Sequence, residues 1–257
     1  MSKQYLSVGA VCAVCLVVLA SPALSDVMVF QAGVAPDAGY DHLGQTMFEG
    51  TYTSHNNMLV GRHTAASLLK MRGVLAFDLS DLPAGAVVQA VELVLTAPSG
   101  SAGSGSAAGI GDVHLYELQP GGSLANEVNA DVDWTNYRTG TAWNTPGGDF
   151  GTKLQTVPSG DLGFNKDETT TFDTSAAFVT AAQGAFDADR PLQMIVQAPT
   201  AEGNASASNY MRWTRPNDGT DPASYRPKLT VTYVPEPVTA VLLAVGAVVL
   251  SRRRRSF

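Results

Sequence analysis

Between residues 26 and 234 the chain is built from short runs in which apolar and polar residues alternate nearly one for one. Such a run suits an extended strand that buries one face, and it cannot serve a helix, whose apolar positions recur every three to four residues. Val87 to Thr96 sets Val91, Leu93 and Leu95 apart from Glu92 and Val94, and Val113-His114-Leu115-Tyr116-Glu117-Leu118 alternates throughout. Further strands are predicted at Val27 to Gln31, Met58 to Val60, Arg72 to Leu79, Thr169 to Phe172, Leu192 to Gln197, Tyr210 to Thr214 and Leu229 to Tyr233. Turn residues punctuate them at Leu82-Pro83-Ala84-Gly85, Pro120-Gly121-Gly122, Pro146-Gly147-Gly148 and Asn217-Asp218-Gly219. One segment reads as helix, capped by Asp173 or Thr174, with Phe178 and Ala182 four apart and Gly184 as its stop. The run from Pro98 to Gly111 is Gly, Ser and Ala and reads as a surface loop. With 25 glycines, 14 prolines and only 15% charged residues, the pattern predicts an all-β fold: a single β-sandwich or jelly roll with one short helix.

The two ends read differently. Lys3 precedes Val8 to Ala20, an apolar run followed by Ser21-Pro22-Ala23-Leu24-Ser25, whose small residues suit a signal peptidase. A helix over that run spans about 20 Å of a roughly 30 Å hydrocarbon core, so residues 1–25 are expected to be a signal peptide, with an N-terminal signal helix, rather than an anchor. Cys12 and Cys15 are the only cysteines and both lie in this run, leaving residues 26–234 to fold without disulfides. At the other end Pro235-Glu236-Pro237 precedes the apolar Val238 to Leu250, then Ser251 and Arg252, Arg253, Arg254 and Arg255. Positive charge beyond an apolar helix marks a cytoplasmic end. This order resembles the PEP-CTERM sorting signal of Gram-negative bacteria over residues 235–257. The resemblance implies an exosortase-type processing enzyme as partner, and a protein exported to the outer envelope or extracellular face and held at the membrane through a C-terminal apolar helix.

Charge narrows the function of the middle segment. Setting aside Lys3, Glu236 and the four terminal arginines, the 16 basic and 23 acidic residues become 11 against 22, a net of −11. Such a domain repels phosphate backbones, which excludes nucleic acid as the default partner. The sequence holds no Gly-x-Ser-x-Gly, His-Glu-x-x-His or phosphate-binding loop, so no catalytic residue is assigned and the chain is read as non-enzymatic. His42, His55 and His63 lack the short-spaced ligand pair of a zinc site. Hard oxygens suit calcium better. Asp37, Asp41, Asp131, Asp133 and Asp149 fall in loops, and Asp37 and Asp41 are the candidate ligands of a structural Ca²⁺, the one cofactor the sequence suggests. For ligand binding, Tyr210-Met211-Arg212-Trp213-Thr214-Arg215 is the best cluster. As a strand it sets Tyr210 and Arg212 on one face and Trp213 and Arg215 on the other.

Ordered motifs add a second resemblance. Met58-Leu59-Val60-Gly61-Arg62 is followed by Val74-Leu75-Ala76-Phe77-Asp78-Leu79-Ser80-Asp81-Leu82-Pro83-Ala84-Gly85-Ala86 and then Val91-Glu92-Leu93-Val94-Leu95. Asp133-Trp134-Thr135, Gly140 to Phe150 and Arg226-Pro227-Lys228-Leu229-Thr230-Val231-Thr232-Tyr233 complete the series. Together they resemble the DNRLRE domain from about Val27 to Tyr233, with departures at Phe178, where that pattern has Trp, and at the end of the Tyr210–Arg215 strand. The family is similar to carbohydrate-binding modules of jelly-roll fold. The resemblance implies a non-catalytic protein that binds or organises extracellular polysaccharide. The alternatives are a structural or adhesive matrix protein without glycan affinity, and a jelly-roll polysaccharide lyase or hydrolase.

Overall fold

Alternating runs become strands, and the strands pair antiparallel throughout. The computed structural model describes residues 24–34, 43–49, 56–64, 69–100, 103–216 and 219–235. Its strands are β1 (Asp26–Phe30), β2 (Leu43–Phe48), β3 (Asn57–His63), β4 (Leu69–Phe77), β5 (Val87–Thr96) and β6 (Gly103–Ser104). Then follow β7 (Val113–Leu118), β8 (Asn136–Arg138), β9 (Thr141–Ala142), β10 (Phe150–Val157) and β11 (Thr169–Phe172), and last β12 (Leu192–Gln197), β13 (Asn209–Thr214) and β14 (Lys228–Val234). Helices are α1 (Ala107–Ile110), α2 (Ala176–Asp187) and α3 (Pro199–Gly203). The Gly/Ser/Ala run is thus not loop throughout, since it carries β6 and all of α1. Helix α2 starts one residue later than predicted, with the Ser175 hydroxyl accepting from the Phe178 N–H at 3.0 Å, and it runs on through Gly184.

One sheet has the order β1-β14-β5-β11, and the larger has β10-β7-β12-β4-β3-β13-β6, with β2 also pairing along β4. Between them lies one apolar core. The smaller sheet contributes Phe30, Val91, Leu93, Leu229 and Val231, and the larger contributes Phe77, Leu115, Met194, Val196 and Trp213. Helix α2 packs on the same core through Phe178 and Ala182 and touches both β5 and β10, one strand of each sheet. This corrects the predicted all-β jelly roll. The chain is a mixed α/β fold whose sheets are open: a helix packs on the core beside β5 and β10, and no hydrogen-bonded ladder joins the two sheets among the described residues.

The larger sheet is buried on its outer face as well. Met47, Val74, Leu118 and Ile195 emerge there and meet Val132, Tyr137 and Trp143 of the long segment between β7 and β10. Gln193, fully buried on the same face, anchors that segment: its carbonyl oxygen accepts from the Val128 N–H at 2.7 Å and its amide donates to the Asn126 carbonyl at 2.8 Å. Burial on both faces explains why Leu192 to Val196 carries so little polar residue.

The expectations for the chain ends need correction too. No helix among the described residues is long and apolar enough to cross a membrane. No described helix thus supports the signal helix, the PEP-CTERM tail with Glu236, Pro237 and Arg252 to Arg255, exosortase processing or an exported, membrane-anchored location. The segments they rest on, 1–23 and 236–257, lie outside the described residues; Pro235 lies just past the end of β14.

Trp213 is the largest fully buried side chain. Trp213→Ala should cost about 3–5 kcal/mol, read as a lower urea midpoint at unchanged slope; a loss within error of zero would place the core elsewhere.

Candidate functional site

The β13 cluster divides as strand alternation dictates. Trp213 points into the core and is 0% exposed, and its indole N–H has no hydrogen-bond partner. Tyr210, opposite Gly61 of β3, packs with Phe48, Leu59 and Met71, and the His63 ring lies 5.2 Å from its own. The Arg212 guanidinium sits 5.4 Å over the Tyr210 ring and donates to the Tyr210 hydroxyl at 3.0 Å. Arg215, one residue past the end of β13, donates to the Gln45 side chain on β2 at 3.2 Å. The structure therefore brings Tyr210 and Arg212 together, buries Trp213 and turns Arg215 to another strand. Asp37 and Asp41 lie outside the described residues. Among those described, no group of three or more His, Cys, Asp or Glu side chains is arranged to hold a metal ion.

The best-organised polar cluster escaped the sequence reading. Arg72 leaves β4 on the outer face of the larger sheet and meets Glu202 of α3, with Nη2 donating to Oε2 at 2.7 Å and Nε to Oε1 at 3.1 Å. Its Nη1 donates to the Gly147 carbonyl at 2.8 Å, and the Gln197 amide donates to Glu202 Oε2 at 3.2 Å. The guanidinium also lies 4.7 Å from the Trp134 ring and 5.0 Å from the Phe150 ring. Both charged side chains are nearly buried, at 11% and 5% exposed. Gly147 has φ +93°, and a Cβ there would lie 2.7 Å from Arg72 Nη1, so only glycine lets the chain approach the guanidinium so closely. The only sequence trace of this site is Arg72 itself, in a strand that also holds Lys70, with partners scattered over 130 residues.

Two other loop carboxylates serve the backbone. Asp149 accepts from the N–H groups of Gly121 (2.9 Å), Asn144 (3.0 Å) and Thr145 (2.8 Å). Asp133 accepts from Thr135 and Asn136, both at 2.6 Å. These bonds hold turns that backbone pairing leaves unsatisfied.

On the outer face of β7, His114 stands beside Tyr116, ring centroids 6.1 Å apart, and Tyr116 meets Phe150 edge-on at 5.0 Å. His114 Nδ1 hydrogen-bonds the Thr156 hydroxyl at 2.9 Å. Burial pushes the His114 pKa below its ordinary 6.5; the nearby Lys153 adds to this and Asp112 opposes it.

No family model matches the chain, and no curated protein does. Polysaccharide and an exosortase-type enzyme, named above as partners from resemblance, are withdrawn as partners: no relative supports them, and Trp213, one of the cluster's two aromatic residues, lies in the core.

Two predictions follow from the geometry. Arg72→Met and Glu202→Leu should each cost about 3–5 kcal/mol, because each strands a buried charge, while the double variant costs well below their sum; strict additivity in chemical denaturation would show that the pair is not coupled. For His114, the folded state binds fewer protons than the unfolded state between its lowered pKa and 6.5. Its contribution is complete above 6.5 and is lost as pH falls through the folded value. An NMR titration should place the His114 midpoint below 6.5, and His114→Gln should flatten the stability profile in that window; a midpoint above 6.5 contradicts this.

Proposed function

We propose that the protein has a structural or adhesive role and performs no chemistry. One observation supports this reading most: among the described residues, the best-bonded charged side chains, Arg72, Glu202 and Asp149, are engaged in holding segments of the chain together. Catalysis requires an acid, base or nucleophile free to reach a reacting atom. Asp149 is committed to three backbone amides, Glu202 to Arg72 and Gln197, and Arg72 to Glu202, Gly147 and two aromatic faces. Bonds of this kind fasten the segment between β7 and β10 onto the sheet and stiffen it. Polymer binding draws on exposed aromatic faces; Trp213 and Trp143, at 0% and 5% exposed, offer none, and Phe150, 36% exposed, meets Tyr116 edge-on and lies 5.0 Å from the Arg72 guanidinium.

The purified chain should release neither new reducing ends nor unsaturated products from a panel of neutral and acidic polysaccharides, and none of those polymers should retard it in affinity gels. Product release that disappears on Asp149→Asn or His114→Gln would overturn the non-catalytic reading. Saturable retardation by one polymer would overturn the structural one.

A further inference from the structure

Helix α2 does not seal the core edge completely. Between it and the larger sheet opens a cleft of about 430 Å³, walled by Ala177, Ala181 and Gly184 of the helix and by Leu124, with Glu117 of β7 and Arg190 at its base. That volume falls within the roughly 300–1,000 Å³ typical of small-ligand sites.

Glu117 shares its strand parity with Val113 and Leu115, both core residues. The Glu117 and Arg190 side chains are 8% and 10% exposed, yet they are poorly satisfied. Arg190 Nη2 lies 3.4 Å from Glu117 Oε1, and the other contact of the guanidinium is the Pro191 carbonyl at 3.5 Å. The Arg72–Glu202 pair shows what this chain does with a purely structural ion pair: bonds of 2.7–3.2 Å and a further donor on the carboxylate. A buried carboxylate and guanidinium bonded only at 3.4–3.5 Å keep acceptor and donor capacity for a further partner, and both residues line the cleft.

Gly184 is the second observation. It sits inside α2, where glycine weakens a helix relative to alanine, and a Cβ there would touch nothing within 4 Å. The fold has no steric need of glycine at this position. Gly184 lines the cleft and puts no side chain into it.

We propose that the cleft binds small neutral molecules bearing a primary carboxamide. The carbonyl oxygen of a planar amide accepts from the Arg190 guanidinium while its NH₂ donates to Glu117, so one edge of the ligand completes both partners. A carboxylate ligand would face Glu117 and an ammonium ligand would face Arg190, so the juxtaposed charges select against either. Ala177, Ala181 and Leu124 offer apolar contact to a short aliphatic stem. This inference stands apart from the structural role above, since a neutral small molecule can occupy the cleft without any reaction.

Butyramide, butyrate and butylammonium, titrated separately into the ¹⁵N-labelled full chain, distinguish these cases. Butyramide should shift the backbone amides of Glu117, Ala181 and Arg190 saturably, at concentrations about tenfold below those needed by either charged analogue. Gly184→Leu, which puts a side chain into the cleft and favours the helix, should abolish the response while melting no lower than the natural chain. Equal responses to all three compounds, no response to butyramide, or an undiminished response in Gly184→Leu would each overturn the proposal.

Discussion

Burial of the larger sheet on both faces is the constraint on which the rest of the structure depends. Its inner face meets the smaller sheet and α2 across the main core, and its outer face meets the segment between β7 and β10 through Val132, Tyr137 and Trp143. A sheet covered on both sides cannot leave its polar groups to water. Gln193 and Arg72 resolve this on the outer face, the first through two backbone bonds to the covering segment and the second through Glu202 and Gly147. The covering segment is therefore part of the folded body, held by apolar contact, a buried ion pair and the Asp149 carboxylate together.

That arrangement also shapes the functional reading. Carboxylates and guanidiniums are the groups from which a glycan site, a metal site or an acid–base pair would be assembled. Here Asp133 and Asp149 organise turns, and Arg72 lies between Trp134 and Phe150. The Glu117–Arg190 pair is the contrast. It is as buried as the Arg72 pair but bonded only at 3.4 Å, and it opens onto a cleft rather than a packed segment.

Much of the strand content was legible because alternation is a local property. Val87 to Thr96 and Val113 to Leu118 read as strands and are strands over those bounds. Strand β10 was not legible, because register shifts at Phe150/Lys153 and Lys153/Gln155 break its period of two. Strand β2 was missed because Met47 and Phe48 are both buried, in different clusters, so apolar residues adjoin where alternation would separate them. The jelly roll failed for a tertiary reason: nothing in the 176–187 pattern says that a helix packs on the core beside β5 and β10. In the candidate cluster, alternation separates Tyr210 and Arg212 from Trp213, but burial decides which face matters, and that depends on the opposite sheet. The Arg72–Glu202 pair joins residues 130 positions apart, so Arg72 alone gave no local sign of its partner.

Native-state hydrogen exchange tests the central claim most directly, that the covering segment belongs to the folded body. The amides of Val128 and Trp143 in that segment, and of Ile195 in the sheet beneath it, should exchange with the same opening free energy, that of global unfolding. Exchange of Val128 and Trp143 through a much cheaper local opening, with Ile195 still protected, would show that the sheet stands without its cover and would contradict the account.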